Sequence, residues 1–423
     1  MKRFFFSVIA LATVAIGCTK SGLVELPENM ETPITFEPYT GKTPTTKATI
    51  MDKDALEDPI YDEDKQVYTK GGFHVFAFSY TNPKDEKPNY DKPYMDENVW
   101  RVDAVEDDPT TDENETAKAY WDYEGKAYWP DGNLDFLAYG LNAERHMDFS
   151  TNKVFTYTVP SLVSDQEDLI VAIPQTNATN NNGKAINLPF QHLLSKVGFS
   201  LQTNYADQNV KVVIKKIELT GDFYTQGTVD MALVGDNAEE TSTYGKPYID
   251  AKTDATTDSY SFFGTKGANG AVVSYDKNVA GEYDCFVGDS KGLGTTNAPV
   301  APDPIYANHT ITVVDASNQG NPAPKGADDK NRYMMIIPTA AQTDARIKVT
   351  YQLTGDIERT AEAKLTNGFQ FKAGMGYEFV LKVSTLKVDF SVKVDEWAPA
   401  GTADGLKESY TLTPVTPEET PEA

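Results

Sequence analysis

Apolar and polar positions alternate with a period of two over much of the chain. Ile347, Val349, Tyr351 and Leu353 alternate with Lys348, Thr350 and Gln352, and Gly355 follows. Val388, Phe390, Val392 and Val394 alternate with Lys387, Asp389, Ser391 and Lys393 up to Trp397. A strand sends successive side chains to opposite faces, so this spacing predicts half-buried antiparallel strands. Residues 73–80 (FHVFAFSY) and 334–337 (MMII) are largely apolar at both parities and predict inner strands. No long helical period and no fixed-length repeat is present. The expected class is all-β, and strands with turn signals at short spacing predict sandwiches.

Composition agrees with that reading. Aromatic residues make up 11% of the chain, with 23 Tyr, a usage that favours strands. Residues 80–119 are rich in Asp, Glu, Lys and Pro, and residues 235–329 in Gly, Asn, Thr and Asp. Both stretches read as surface loops and hairpins. The polar run 175–184 (QTNATNNNGK) reads as a linker, and Ile186, Leu188 and Phe190 open a new apolar pattern. The expected break in the folded part therefore falls at 184, with a C-terminal unit at 185–400 and a Pro-containing tail at 401–423.

The first residues change the picture from a soluble chain to an exported one. Lys2 and Arg3 precede an apolar stretch at 4–16, broken by Ser7 and Thr13, and then Ala15-Ile16-Gly17-Cys18. A basic start, a short apolar run and small residues before a cut form a secretory signal. The run is too short for a transmembrane helix, which needs about 20 apolar residues. A Cys directly after the small residue predicts a lipoprotein, with Cys18 lipidated and first in the mature chain. Acyl chains on Cys18 would hold the chain on a membrane, stably when there is more than one. The chain has two Cys, so a lipidated Cys18 leaves Cys285 alone, expected as a small buried hydrophobe.

The formal net charge is −25. Loss of Lys2 and Arg3 with the signal leaves 36 basic against 63 acidic residues, or −27. Such a charge repels phosphate backbones and argues against nucleic acid as a partner. Catalytic chemistry is not legible. His74, His146, His192 and His309 are scattered, with no pair at metal-binding spacing. Residues 288–292 (GDSKG) match G-x-S-x-G, but Leu293-Gly294-Thr295-Thr296-Asn297 cannot start the helix that a nucleophile elbow requires. The acidic pairs Asp107-Asp108 and Asp112-Glu113 lack the Gly and ligand spacing of a calcium loop. No enzyme activity, metal or cofactor is expected.

Several motifs follow one another along the chain. A lipobox is followed by Ile34-Thr35-Phe36 and by Thr46-Lys47-Ala48. Tyr128-Trp129-Pro130 precedes Leu134-Asp135-Phe136-Leu137-Ala138-Tyr139. Asp168-Leu169-Ile170-Val171-Ala172 precedes residues 188–197 (LPFQHLLSKV), where His192 reads as a core hydrogen-bonder. Residues 374–379 (GMGYEF) then lead into two strands and Trp397. This order resembles that of the fimbrillins, precursors of the protease-assembled (type V) pili of Gram-negative gut and oral bacteria.

The resemblance implies two tandem transthyretin-like antiparallel β-sandwich domains. It implies a subunit carried to the outer membrane by its lipid, trimmed by a trypsin-like protease and joined to other pilin subunits, like or unlike, by strand exchange. It implies a surface-exposed place in a fimbrium and a ligand on a host or bacterial surface. The family's protease often cuts after Arg, and this chain has no Arg between Arg3 and Arg101. Lys47 is then the candidate, with Ala48 the new N-terminus, 1–17 the signal, 18–47 the propeptide and 48–184 the N-terminal unit. The propeptide would carry the first strand, Thr32 to Tyr39, with Ile34 and Phe36 on one face. A strict requirement for Arg would leave the subunit as a lipid-bearing anchor or a standalone lipoprotein. Tyr410 and Leu412 alternate with Thr411 and Thr413 and form the candidate donor strand; the alternative is that they pack on their own domain. A second function is also open: a surface glycan-binding lipoprotein of a polysaccharide importer. Trp100 and Trp121 would then serve as sugar platforms, with Trp129 and Trp397 buried. The export reading predicts that Cys18→Ala yields an unlipidated protein, checked by labelling cells with a fatty-acid probe.

Overall fold

A computed structural model describes residues 32–39, 56, 60–62, 67–81, 88–102, 120–180, 183–203, 212–232, 247–262, 264–266, 272–274, 281–283, 303–305, 333–353, 356–383, 388–396, 408–411 and 413–414. Cys18, Lys47, Ala48, Cys285, His309, Trp397 and Leu412 lie outside them, as do the acidic pairs at 107–113 and the GDSKG run at 288–292. The described residues form strands, short 3-10 turns and the loops that join them, and Leu56 is an isolated helical residue. No described helix is long and apolar enough to cross a membrane. The chain is all-β.

Among the described residues four larger sheets carry the structure, beside two two-stranded ladders, Ile60–Asp62 with Val67–Lys70 and Gly264–Lys266 with Val272–Ser274. The first runs Phe36–Tyr39, Ile186–His192, Ile170–Ala172, Asn133–Gly140, Phe73–Tyr80, Met95–Val102, Tyr120–Tyr123, with Gln175–Ala178 also paired to Asn133–Gly140. The second runs Asp303–Pro304, Ser195–Thr203, Met375–Val383, Val388–Glu396, Glu408–Thr411, with Tyr333–Ile336 also on Ser195–Thr203. The third runs Thr256–Ser261, Val212–Tyr224, Arg346–Leu353, Glu358–Lys364, Thr413–Pro414, with Gly281–Tyr283 also on Val212–Tyr224. The fourth joins Asp250–Ala251, Gln226–Asp230, Val154–Thr158 and Met147–Thr151. Among the described strands two pairings are parallel, Phe36–Tyr39 on Ile186–His192 and Ser195–Thr203 on Met375–Val383; the others are antiparallel.

The period-two strands behave as their pattern requires. Ile347, Val349, Tyr351 and Leu353 are buried, and so are Val388, Phe390, Val392 and Val394. They meet Phe199, Leu219, Phe379 and Leu381 in one core shared by the second and third sheets. The run FHVFAFSY lacks alternation because its two faces serve two cores. Phe73, Val75 and Ala77 enter a core lined by the first sheet, whereas Phe76 and Phe78 enter the core shared with the other sheets. The neighbouring strand divides likewise, with Leu134, Phe136 and Ala138 on one side and Leu137 and Tyr139 on the other.

Three local expectations change. Residues 80–119, read as surface loops and hairpins, include a sheet strand, because Met95–Val102 pairs with Phe73–Tyr80 through buried Met95 and Val99. Their separation by charged residues hid the alternation. The run 175–184 is not all linker, because Gln175–Ala178 joins the first sheet. Asn177 adopts φ 55°, a conformation Asn tolerates, and its N–H donates to the Asp135 carboxylate at 3.0 Å. Ile186–His192, beyond the expected break at 184, hydrogen-bonds to Ile170–Ala172 before it, so the chain leaves the first sheet between His192 and Ser195. At that exit His192 Nδ1 lies 2.8 Å from Asp168 Oδ2, both buried. This matches the core hydrogen-bonding expected of His192.

Phe199 is fully buried, with Phe262 and Phe379 rings at 4.9 and 5.8 Å. Phe199→Ala should lower unfolding free energy by about 3–5 kcal/mol, the usual effect of a phenyl-sized cavity. A denaturant titration by tyrosine and tryptophan fluorescence reads it.

Candidate functional site: the seat of the N-terminal segment

The core lined by the first sheet draws on nearly every strand of that sheet. Ile34, Phe36, Val75, Val99, Tyr123, Phe136, Ile170, Leu188 and Phe190 all contribute. A sheet that lines its own core must curl until its edges approach, and closing it removes unpaired backbone. The element that closes it is the N-terminal segment at 32–39.

The segment bridges two edges. On one side Phe36–Tyr39 runs parallel to Ile186–His192, with Phe36 opposite Ile186 and Tyr39 opposite Pro189. The Ile186 N–H donates to the Thr35 carbonyl at 2.8 Å. On the other side the chain just past Tyr120–Tyr123 takes over. Ile34 N–H donates to Ala127 O at 2.9 Å, Trp129 N–H donates to Thr32 O at 3.1 Å, and Pro33 bridges Tyr128. Pro33 and Pro38 cannot donate to a ladder, which suits a segment at the rim of a sheet rather than inside it.

The local sequence builds the second edge with a tight turn. Gly125 has φ +84°, and a Cβ there would meet Glu97 Oε1 at 2.8 Å. Only Gly enters that conformation without strain. The turn redirects the strand so that Ala127 and Trp129 face the segment. Lys126 pairs with the Asp122 carboxylate and lies 5.4 Å over the Tyr123 ring.

Two side chains fill the seat. Ile34 is 1% exposed and Phe36 4%. They are two apart, so they share a face, and Thr35 between them is half-buried. Phe36 meets Phe73, Tyr123 and Phe136 edge-on, with centroids at 5.8, 5.9 and 5.9 Å. Burying two such residues contributes about 1.5–3 kcal/mol each. Tyr123 completes the wall, its hydroxyl donating to Ile34 O at 2.8 Å. Burial, the largest cause, pushes the Tyr123 hydroxyl up to about 12, so it stays a donor at neutral pH. Trp129, behind Phe136 at 6.0 Å, is 1% exposed.

The C-terminal stretch is also an edge element. Glu408–Thr411 runs antiparallel to Val388–Glu396, with Tyr410 opposite Val392. Thr413–Pro414 then pairs with Glu358–Lys364 in the third sheet, Ala363 opposite Pro414. The stretch therefore ends both sheets of the C-terminal core at one rim.

Among the described residues no group of three His, Cys, Asp or Glu could hold a metal ion. His74 Nδ1 bonds Asn98 Oδ1 at 2.7 Å, and His146 Nε2 lies 2.9 Å from Asp165 O. Burial and the adjacent Arg145 lower the pKa of His146. None of the three described tryptophans is an exposed platform: Trp129 is buried, Trp100 is half-buried, and Trp121 packs on Phe73 at 5.3 Å. Sequence reasoning found Ile34, Phe36 and Trp129; it missed Tyr123 and Ala127, whose roles come from distant backbone that no local pattern records.

The profile of the fimbrillin-like family matches residues 61–397. The structure is similar to that of a candidate cell-adhesion protein of Bacteroides uniformis, at 12% identity and a TM-score of 0.41, over 86% of this chain and 99% of that one. A candidate cell-adhesion protein of Bacteroides ovatus gives 10% identity and a TM-score of 0.41, over 87% of this chain and 99% of that one. The tip fimbrial protein Mfa3 of Porphyromonas gingivalis, solved with a C-terminal truncation, gives 10% and 0.30, over 83% and 97%. No curated protein sequence matches the chain.

Phe36→Ala should destabilise the first sheet by about 3–5 kcal/mol. Ile357→Ser, at a side chain 73% exposed, should change stability by less than about 0.5 kcal/mol. Parallel denaturant titrations of the two variants check the contrast.

Proposed function

The chain belongs to the fimbrillin-like family, and from that membership and the seat of residues 32–39 we propose a matured, strand-exchanging subunit of a bacterial surface fimbria. A structural protein of this family is not an enzyme, and its place is the cell surface. In the proposed cycle the chain is exported, lipidated on Cys18 and held at the outer membrane. A trypsin-like protease cuts between Lys47 and Ala48. Residues 18–47 then leave with the lipid, and the seat opens. A strand from the next subunit refills it, giving a polymer with main-chain bonds along its joint. The two halves of the chain are read as tandem transthyretin-like sandwiches, the second built from the second and third sheets.

One observation carries this reading. The segment whose removal the cycle requires lies upstream of Lys47, on a sheet rim, and its Ile34 and Phe36 are buried in the core that the sheet lines. An apolar groove with unpaired backbone on both sides is costly in water, so an emptied seat favours a partner strand. The C-terminal stretch with Tyr410 and Leu412 is the proposed donor. Glu408–Thr411 holds one rim strand and Thr413–Pro414 another, and a rim strand can detach without breaking a sheet interior. The half-buried tryptophans give the glycan-binding alternative no support.

Protease-treated protein should form ladders on unboiled gels. N-terminal sequencing of the ladder subunits should begin at Ala48. Deleting residues 408–423 should leave the fold intact and abolish the ladders; ladders that persist place the donor elsewhere, and assembled chains that begin at Cys18 contradict the maturation step.

A further inference from the structure

Tyr123 is placed to serve both the filled and the empty seat. It lies at the end of the rim strand Tyr120–Tyr123, is 4% exposed, and packs its ring edge-on to Phe36. Its hydroxyl donates to Ile34 O at 2.8 Å and stands 3.2 Å from Ala127 O. A hydroxyl has one proton to donate, so with the segment docked the shorter bond to Ile34 takes the larger share. Ala127 O is meanwhile satisfied by the Ile34 N–H at 2.9 Å. Departure of the segment would remove the Ile34 carbonyl from Tyr123 and the Ile34 N–H from Ala127 in one step. The two groups left behind are a donor and an acceptor already 3.2 Å apart.

We propose that Tyr123 is the latch of the seat, a positioning residue whose hydroxyl holds the N-terminal segment by a backbone carbonyl and passes to Ala127 when the segment leaves. This rests on the strand-exchange reading above. The bond is to main chain, so it does not read side-chain identity and serves any strand that presents a carbonyl at the Ile34 position. Selectivity lies in the neighbouring pocket of Phe73, Tyr123 and Phe136, which fits an aromatic side chain two residues further on.

The test uses the full chain with a specific protease recognition sequence inserted after residue 47. After cleavage, release of the N-terminal fragment is followed by size-exclusion chromatography and mass spectrometry. Tyr123→Phe, which removes one oxygen, should release the fragment about tenfold faster, as expected for loss of one buried hydrogen bond. Tyr157→Phe is the control. That hydroxyl is also buried and donates to a backbone carbonyl, Glu167 O at 2.7 Å, and it lies in the other core. It should leave the release rate unchanged even where the melting temperature falls. Replacing Tyr123 with para-aminophenylalanine, which keeps a donor, should restore slow release and keeps the test open if Tyr123→Phe does not fold. Equal release from the unaltered chain and Tyr123→Phe, or faster release without rescue by the amine, overturns the latch and leaves strand exchange standing. A fragment that stays bound in every variant, even against excess free peptide of residues 30–41, overturns strand exchange itself.

Discussion

The structure depends on closing a curled sheet. A sheet that lines its own core brings two edges close without joining them, and each edge presents unpaired N–H and C=O groups. Here the edges are Ile186–His192 and the chain at Ala127–Trp129, and residues 32–39 pair with both. The segment does with eight residues what a further antiparallel strand does in a closed barrel. It differs in being upstream of the rest of the fold, so it can be removed without breaking the chain of the sheet.

That closure is coupled to the rest of the molecule through the opposite face of the same sheet. Phe73 and Phe136 wall the seat, while Phe76, Leu137 and Tyr139, on the same two strands, pack into the core shared with the C-terminal sheets. Proteins pack close to crystal density and transmit strain. An emptied seat therefore borders strands held firmly from behind, which keeps the groove in shape for a replacement. The buried pair of Asp168 and His192 sits where the receiving strand leaves for the second sheet, and it fixes the exit of the strand on which the segment docks.

Much of this was legible in the sequence. Strict alternation at 347–353 and 388–394 returned as buried faces, and the unbroken apolar run at 73–78 returned as a strand between two cores. Ile34 and Phe36, two apart, were readable as one face of an early strand. What local pattern could not show was pairing over distance. Ile186-Asn187-Leu188 looked like the opening of a new unit because a polar run precedes it; the strand it opens lies between Ile170–Ala172 and the distant Phe36–Tyr39. Met95–Val102 was hidden by its charged residues, and Tyr123 is one of 23 tyrosines with no motif around it. Its role arises only when the curl of the sheet brings Ile34 to it.

The central claim is that residues 32–39 close the first sheet as a separable unit. Native-state hydrogen exchange on the full chain, and on the same chain with those residues released, tests it most directly. The account predicts that the Trp129 and Ile186 amides, bonded to Thr32 and Thr35, are protected in the full chain and lose protection together on release, while amides of Phe73–Tyr80 keep theirs. Protection lost throughout the first sheet, or kept at Trp129 and Ile186 after release, would contradict it.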